Sequence, residues 1–386
     1  MRVLIITYCL GGSASGIITS RMVEELARRG HELHIVTAEN HIGNIGNCKI
    51  DVIKSSLLNN EFFNLLRIKV LTWLGFSAYN SHFIWRFRVI QHIKALLHNW
   101  HPDWIYCRST PIDACLVGVI LHKMYRLPTI QHFSDPLPGP SCTSVRVRRR
   151  FIKQTQIIMS ESELVSYPTE EMANYIKSLI NYDYSKRIHI LPDVIDGKQT
   201  YYHHDTHKYN NPVVLAYMGS IYGTRNPIPL FQSIELLKTI GINCILRIYS
   251  TPPKNVRTPS YVHYMGYTTD VQNALLAADV LVDLDGDDSL PVFVSSKLKD
   301  YLIVARPILS ISPENSPARK LVRNIPTVQT TINDRDRIAS AIQAILLTEY
   351  SEGDYQKRFL LAQQFTPKAV IDKLLSIIDT IPIVYE

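Results

Sequence analysis

The sequence predicts an α/β protein made of two doubly wound, Rossmann-like units facing each other across a cleft. Three observations predict it. Short apolar runs that read as buried strands alternate with amphipathic helical stretches along the whole chain, the pattern of parallel sheets with crossover helices. A glycine-bearing loop joins strand to helix twice, at Gly11-Gly12-Ser13-Ala14-Ser15-Gly16 and again from Gly219 to Arg225. At 386 residues the chain is also too long for one ordinary core, and its 46% hydrophobic and 19% charged residues are those of a globular protein.

The first unit is expected over 1–190. Its opening strand is Val3 to Tyr8, and the glycine loop leads into a helix from Ile17 to Arg29 with Glu24/Arg28 and Glu25/Arg29 at i,i+4 spacing. Gly30 stops that helix, and HELHIVT supplies the next strand. Met-Arg followed by VLIITYCL imitates a short signal peptide, but cleavage there would destroy this strand–helix–strand unit, so the strand reading is preferred. Further strands are expected at Trp104 to Cys107, Thr129 to Phe133 and Leu164 to Tyr167. TIQHFSDPLPG places His132 and Asp135 at the carboxyl end of a strand, where doubly wound sheets bind ligands.

A hinge is expected over 191–211 and the second unit over 212–366. Val213 to Met218 reads as a buried strand, Pro227 opens a helix that closes near Gly241, and Cys244 to Tyr249, Asp270 to Ala278 and Val280 to Leu284 continue as strand, helix and strand. PVFVSSKLKDYLIVARPIL, Pro291 to Leu309, then places two serines, a lysine and an aspartate at a helix start. Ser295 or Ser296 can cap that helix, its free N–H groups and Lys297 form an anion site, and Asp300 can accept from a ribose diol. A last helix at 367–381 is expected to pack back on the first unit.

Together GSIYGTR and SSKLKDYLIVARPIL make the chain resemble glycosyltransferase family 4, enzymes of the GT-B fold that use nucleotide-sugar donors, and the resemblance runs the full length. It implies that Arg225 meets the donor diphosphate, that Asp300 of the K-x-x-[DE]-Y motif meets the ribose, and that transfer proceeds with retention. The family's Glu-x7-Glu pattern departs here, since Val292 stands where the first glutamate belongs; Asp287 or Asp288 is the expected replacement. The same resemblance brings Gly11, Gly12, Gly16, Gly219, Ser295 and Ser296 to the donor, and gives His132 the transferred sugar and Asp135 the sugar or the acceptor hydroxyl. Arg225 and Lys297 would then stabilise the departing diphosphate. A nucleotide-sugar 2-epimerase of the same architecture, or a non-catalytic nucleotide-sugar-binding partner, is the alternative.

Other signals bound the chemistry. Six cysteines lie scattered without a C-x-x-C pair, which argues against a zinc or disulfide framework and suits a reducing cytoplasm. DLDGDD, Asp283 to Asp288, contains D-x-D, but basic groups beside it suffice for a diphosphate, so no metal or other obligatory cofactor is expected. No apolar run approaches the ~18 residues of a spanning helix. The net charge of +7 gathers at Arg146, Arg148, Arg149, Arg150 and Lys153 around Phe151, and at Arg67, Lys69, Arg86, Arg88 and Lys94 among Phe62, Phe63, Trp73, Phe76, Phe83, Trp85 and Phe87. Cations beside aromatics favour an anionic membrane surface, hence a peripheral enzyme with a saccharide acceptor, lipid-linked, as in bacterial surface-polysaccharide assembly; the UDP- or GDP-sugar donor is what the resemblance implies. Nucleic acid is not expected, since no recognised module accompanies the patch.

Overall fold

The computed structural model describes residues 1–54, 70, 82–180, 187–196, 209–252, 258–286 and 290–381. The chain forms two compact units, Met1–Gly197 with Phe365–Glu386, and Lys198–Gln364. In chain order the first runs β1 (Arg2–Ile6), β2 (Cys9–Leu10), α1 (Ala14–Arg28), β3 (Glu32–Thr37), β4 (Glu39–Asn40), β5 (Lys49–Val52), α2 (Phe83–Leu96), β6 (Trp104–Arg108), α3 (Asp113–Tyr125), β7 (Thr129–His132), α4 (Val145–Ser160), β8 (Leu164–Tyr167), α5 (Glu170–Leu179) and β9 (Ile188–Ile190). The second runs β10 (Val213–Met218), α6 (Ile228–Thr239), β11 (Cys244–Tyr249), β12 (Val262–Tyr264), α7 (Val271–Leu276), β13 (Val280–Leu284), α8 (Ser296–Tyr301), β14 (Ile308–Ile311), α9 (Pro317–Val322), β15 (Val328–Thr331), α10 (Arg335–Leu347) and α11 (Glu352–Ala362). The final helix, α12 (Pro367–Asp379), belongs to the first unit.

Each unit is built on one parallel sheet with helices packed on it, and the first also holds a two-stranded parallel pair, β2 with β4. The first sheet has seven strands in the order β5-β3-β1-β6-β7-β8-β9, and the second has six, β12-β11-β10-β13-β14-β15. The central strands are continuous apolar runs because both faces are covered: WIYCR of β6 and VLVDL of β13 are buried at every position. Register is direct, Val3 opposite Leu33 and Trp104, and Leu215 opposite Leu246 and Val280.

Local chemistry sets the helix ends. α1 begins a turn earlier than its apolar periodicity suggests, because the Ser13 hydroxyl accepts the Gly16 N–H at 3.1 Å and caps it. Glu25 takes both arginines of the last turn, Arg28 at 2.8 Å and Arg29 at 2.7 Å, so Arg28 pairs with Glu25 and not with Glu24. Met22, Val23 and Leu26 of α1 share a core with Val370, Ile371, Leu374 and Ile378 of α12. Arg29 fastens the two helices through Asp372 at 2.6 Å.

Candidate functional site

Both sheets reverse their winding beside their first strand. The loops after β1 and β6, and those after β10 and β13, therefore open at the switch points where doubly wound sheets take ligands.

In the second unit β10 delivers Tyr217 and Met218, and the chain turns at Gly219 with φ +113°. A Cβ there would lie 2.6 Å from Lys297 Cε, so the lysine stem occupies the space that only glycine leaves. What holds Lys297 there is Tyr301, one turn later on α8, whose hydroxyl accepts the Met218 N–H at 2.9 Å. The Lys297 ammonium lies 5.4 Å over the Tyr217 ring, and the Arg225 guanidinium 4.5 Å over Tyr222. Both cations are half-buried, and among the described residues neither makes an ion pair. Two cations at a switch point, resting on aromatic faces, leave their charge for an anion.

Two carboxylates stand behind them. Burial pushes the Asp283 carboxyl up, opposed by Lys297, the Ser295 hydroxyl, Arg225 and the Ser310 hydroxyl 3.5 Å away. Asp285 is raised to about 6 by burial and then by Asp283, while the Gly286 N–H, donating at 2.9 Å, works the other way. Lys297 is pushed down by burial and by Arg225, with Asp283 and Asp285 pulling it back up. Beyond β13, β14 and β15 a cavity of about 250 Å³ opens, lined by Asp285, Gly286, Ser312, Glu314 and Asn333 among others.

Several sequence expectations change here. Ser295 does occupy the N-cap of α8, but its side chain makes no capping bond; it favours the charge on Asp283 instead. Ser296 is the first helical residue. With only six residues α8 has a modest dipole, so anion binding falls more to Lys297 and Arg225 than to helix amides. Asp300 is half-buried on α8, between the buried Lys299 and Tyr301. Val292 is 2% exposed, an apolar core position where the Glu-x7-Glu pattern would set a carboxylate. Asp287 and Asp288 lie outside the described residues.

In the first unit Gly11 and Gly12 take φ +73° and +69°. Their crowding comes from the chain itself: a Cβ on Gly12 would strike the His41 ring, and one on Gly16 would strike the Gly11 carbonyl. His132 ends β7 with no exposed surface, its Nδ1 2.9 Å from the Ser166 hydroxyl and its Nε2 4.0 Å from Asp193 Oδ1. It therefore sits within the sheet end and does not face solvent. The Asp135 carboxyl accepts from the Thr110 hydroxyl at 3.2 Å and is raised by burial. Sequence reasoning missed the group linking these: Arg108, 1% exposed at the end of β6, donates to Asp193 at 3.0 Å and to the Ser15 hydroxyl at 3.3 Å. Ser15 in turn lies 3.2 Å from the Ser134 hydroxyl. The available signal was an arginine closing a wholly apolar strand, since charges are rarely buried unpaired.

Residues 13–192 match the family model of the glycosyl transferase 4-like domain. No curated protein sequence matches the chain. Among solved structures, WaaG, a glycosyltransferase involved in lipopolysaccharide biosynthesis, superposes with a TM-score of 0.65 at 14% identity over 98% of this chain and 100% of that one. A glycosyltransferase from Rickettsia africae ESF-5 gives 0.64 at 12% identity over 98% of both chains, and UDP-GlcNAc 2-epimerase from Methanocaldococcus jannaschii gives 0.56 at 11% over 97% and 99%. The paired doubly wound sheets are those of the GT-B fold. Within it, residues 13–192 form a glycosyl transferase 4-like domain.

Proposed function

We propose that the chain transfers a sugar from a UDP- or GDP-sugar, with retention, to a hydroxyl of a lipid-linked saccharide in surface-polysaccharide assembly. The observation that carries this reading is the pair Arg225 and Lys297, half-buried, outside any described ion pair and set around Gly219 at the switch point of the second sheet. Charge grows on the diphosphate as the sugar leaves, and donors already fixed in a partly dry site stabilise that charge more than they stabilise the bound ground state. Asp300 takes the ribose. Asp287 or Asp288 takes the sugar in place of the glutamate that Val292 replaces. The departing phosphate removes the acceptor proton, and Asp135 orients the sugar or the acceptor hydroxyl. His132, bonded to Ser166 and near Asp193, is assigned to positioning that end of the site for the sugar. Gly11, Gly12 and Gly16 shape the loop beside it, and Ser295 and Ser296 lead Lys297 into place. Arg225 and Lys297 supply the positive charge beside the diphosphate, so the proposed reaction uses no divalent metal or other cofactor. The 2-epimerase reading shares the fold, and net release of an epimerised sugar without acceptor would select it.

The acceptor class rests on the surface of the first unit. Arg146, Arg149 and Lys153 are exposed at i, i+3 and i+7 of α4, whereas Phe151 is buried and belongs to the core. The exposed aromatics are instead Phe83 and Phe87, one turn apart on α2 beside exposed Arg88, while Trp85 is buried. The cations and aromatics at 62, 63, 67, 69, 73 and 76 lie outside the described residues. No described helix is long and apolar enough to cross a membrane, so attachment would be peripheral, on the cytoplasmic face.

The deciding experiment is a panel of UDP- and GDP-sugars scored for thermal stabilisation and for sugar transfer in EDTA. A donor that stabilises the chain and is consumed only with a lipid-linked acceptor supports the reading. No stabilisation by any donor, release of an epimerised sugar without acceptor, or a strict need for added magnesium or manganese overturns the corresponding part. Flotation with anionic and not neutral vesicles, weakened by salt, is expected of the membrane reading; equal recovery from both vesicle types removes it.

A further inference from the structure

We propose that Cys9, Glu39 and His41 form a site for a borderline-soft divalent cation of the zinc class beside the glycine loop of the first unit. β2 and β4 pair over two positions, Cys9 with Glu39 and Leu10 with Asn40. Paired residues of parallel strands project to one face and residue i+2 returns to it, so the backbone itself brings a thiol, a carboxylate and an imidazole together. The His41 N–H pins that return by donating to the Leu10 carbonyl at 2.8 Å. The three donor atoms lie within 4.8 Å of one another, with His41 Nε2 3.5 Å from Glu39 Oε2. Nitrogen and oxygen ligands at ~2.0–2.1 Å from a tetrahedral zinc stand about 3.3 Å apart, so the His41–Glu39 separation is compatible with both atoms binding one ion.

A second triad shows the contrast. His34 and His92 place Nε2 at 2.6 and 2.7 Å from the same oxygen, Asp51 Oδ2, which is direct hydrogen-bond distance. The buried His34 Nδ1 has no partner among the described residues, whereas a ligating imidazole normally donates its second N–H. That triad is a hydrogen-bonded clip. The His41 side chain, by contrast, is 52% exposed, so water can accept from its second nitrogen. Cysteine spacing argued against zinc only because it looks for cysteine pairs; here one cysteine meets ligands supplied by a neighbouring strand.

The chemistry balances simply. The Cys9 thiol donates to the Gly11 carbonyl at 2.8 Å; on binding, the S–H bond breaks, an Sγ–metal bond forms and one proton goes to solvent. Neutral imidazole and carboxylate bind without losing a proton, and water completes the shell. Because His41 packs on Gly12 and the thiol holds Gly11, the cation would fix the glycine loop. The proposed diphosphate groups belong to the other unit.

The test titrates the untagged, EDTA-stripped full chain with cobalt and then zinc. Expected are a single equivalent bound, a near-ultraviolet thiolate-to-cobalt charge-transfer band displaced by zinc, and release of about one proton per ion. Cys9→Ser should abolish the band. His41→Ala and Glu39→Gln should weaken binding by at least the ~10–100-fold that outer-shell changes cost, and His92→Ala should leave it unchanged. Glu39 is exposed, so Glu39→Gln keeps the test decisive if Cys9→Ser fails to fold. No cobalt binding by the wild type, a band that survives in Cys9→Ser, undiminished affinity in Glu39→Gln, or loss confined to His92→Ala overturns the proposal.

Discussion

In the proposed reading Asp300 takes the ribose and Arg225 the diphosphate, so substitution should separate binding from chemistry. Asp300→Ala removes hydrogen bonds to a charged acceptor, worth ~1.5–3 kcal/mol, and should weaken free nucleoside diphosphate roughly tenfold to hundredfold in calorimetric titration. Arg225→Ala should fall mainly on single-turnover rate, because its charge matters most as the phosphate leaves. Undiminished diphosphate affinity in a folded Asp300→Ala would remove the ribose assignment. Asp113, at the start of α3, offers a test independent of catalysis. Burial raises its carboxyl to about 6, although Arg86, 3.4 Å away, and Arg150 pull it down. A raised folded pKa means a contribution complete below the unfolded value near 4 and lost as pH rises through 6. The wild type should therefore lose up to ~3 kcal/mol relative to Asp113→Asn between pH 4 and 7, read as a growing difference in unfolding free energy. A pH-independent difference would contradict it. Lys297 was singled out by its place at a helix start, and Arg225 by the resemblance its loop carries. The Arg108–Asp193 pair was not, because its members are 85 positions apart and only the folded sheet joins them.

Elements were legible where both faces are covered. Val213–Met218, Val280–Leu284 and Leu164–Tyr167 have the bounds their apolar runs suggest, since a largely hydrophobic stretch between turn signals has few other uses; Cys244–Tyr249, buried at alternate positions, keeps its expected bounds as well. β5 at one sheet edge and β9 at the other are partly exposed, and at four and three residues they are too short to carry a readable period. The loop after β10 allows a clean comparison of two glycines. Gly219→Ala meets both a positive φ and the Lys297 stem, whereas Gly223, φ +64°, has nothing within 4 Å. Gly223→Ala should cost about 1 kcal/mol of backbone strain and keep diphosphate affinity. Gly219→Ala should cost more and lose affinity as well, because Lys297 must move. Equal melting temperatures and affinities in the two variants would show that Lys297 is not held by that contact.

Across the molecule the chain crosses from the first unit to the second and returns. Val370, Ile371, Leu374 and Ile378 of α12 are part of the first unit's core, and the Ile195 N–H donates to the Phe365 carbonyl at 2.9 Å. Ending the chain at Gln364 should therefore destabilise the first unit by several kcal/mol, since each large buried aliphatic lost is worth about 1.5–3 kcal/mol, while sparing the second. Calorimetry should show one transition lowered and the other unmoved; two unshifted transitions would contradict the shared core. The two-unit fold was legible in the sequence because alternation and glycine loops run through the whole chain.

That return also orders events at the ribosome. The sheet of the first unit is complete by Ile190, but the partner of Met22 and Leu26 emerges only after everything from Lys198 to Gln364 has been made. At ~5–20 residues per second that interval is roughly 10–30 s. Throughout it the nascent chain carries an uncovered apolar stripe along α1, a surface a chaperone can hold and a neighbouring nascent chain can capture.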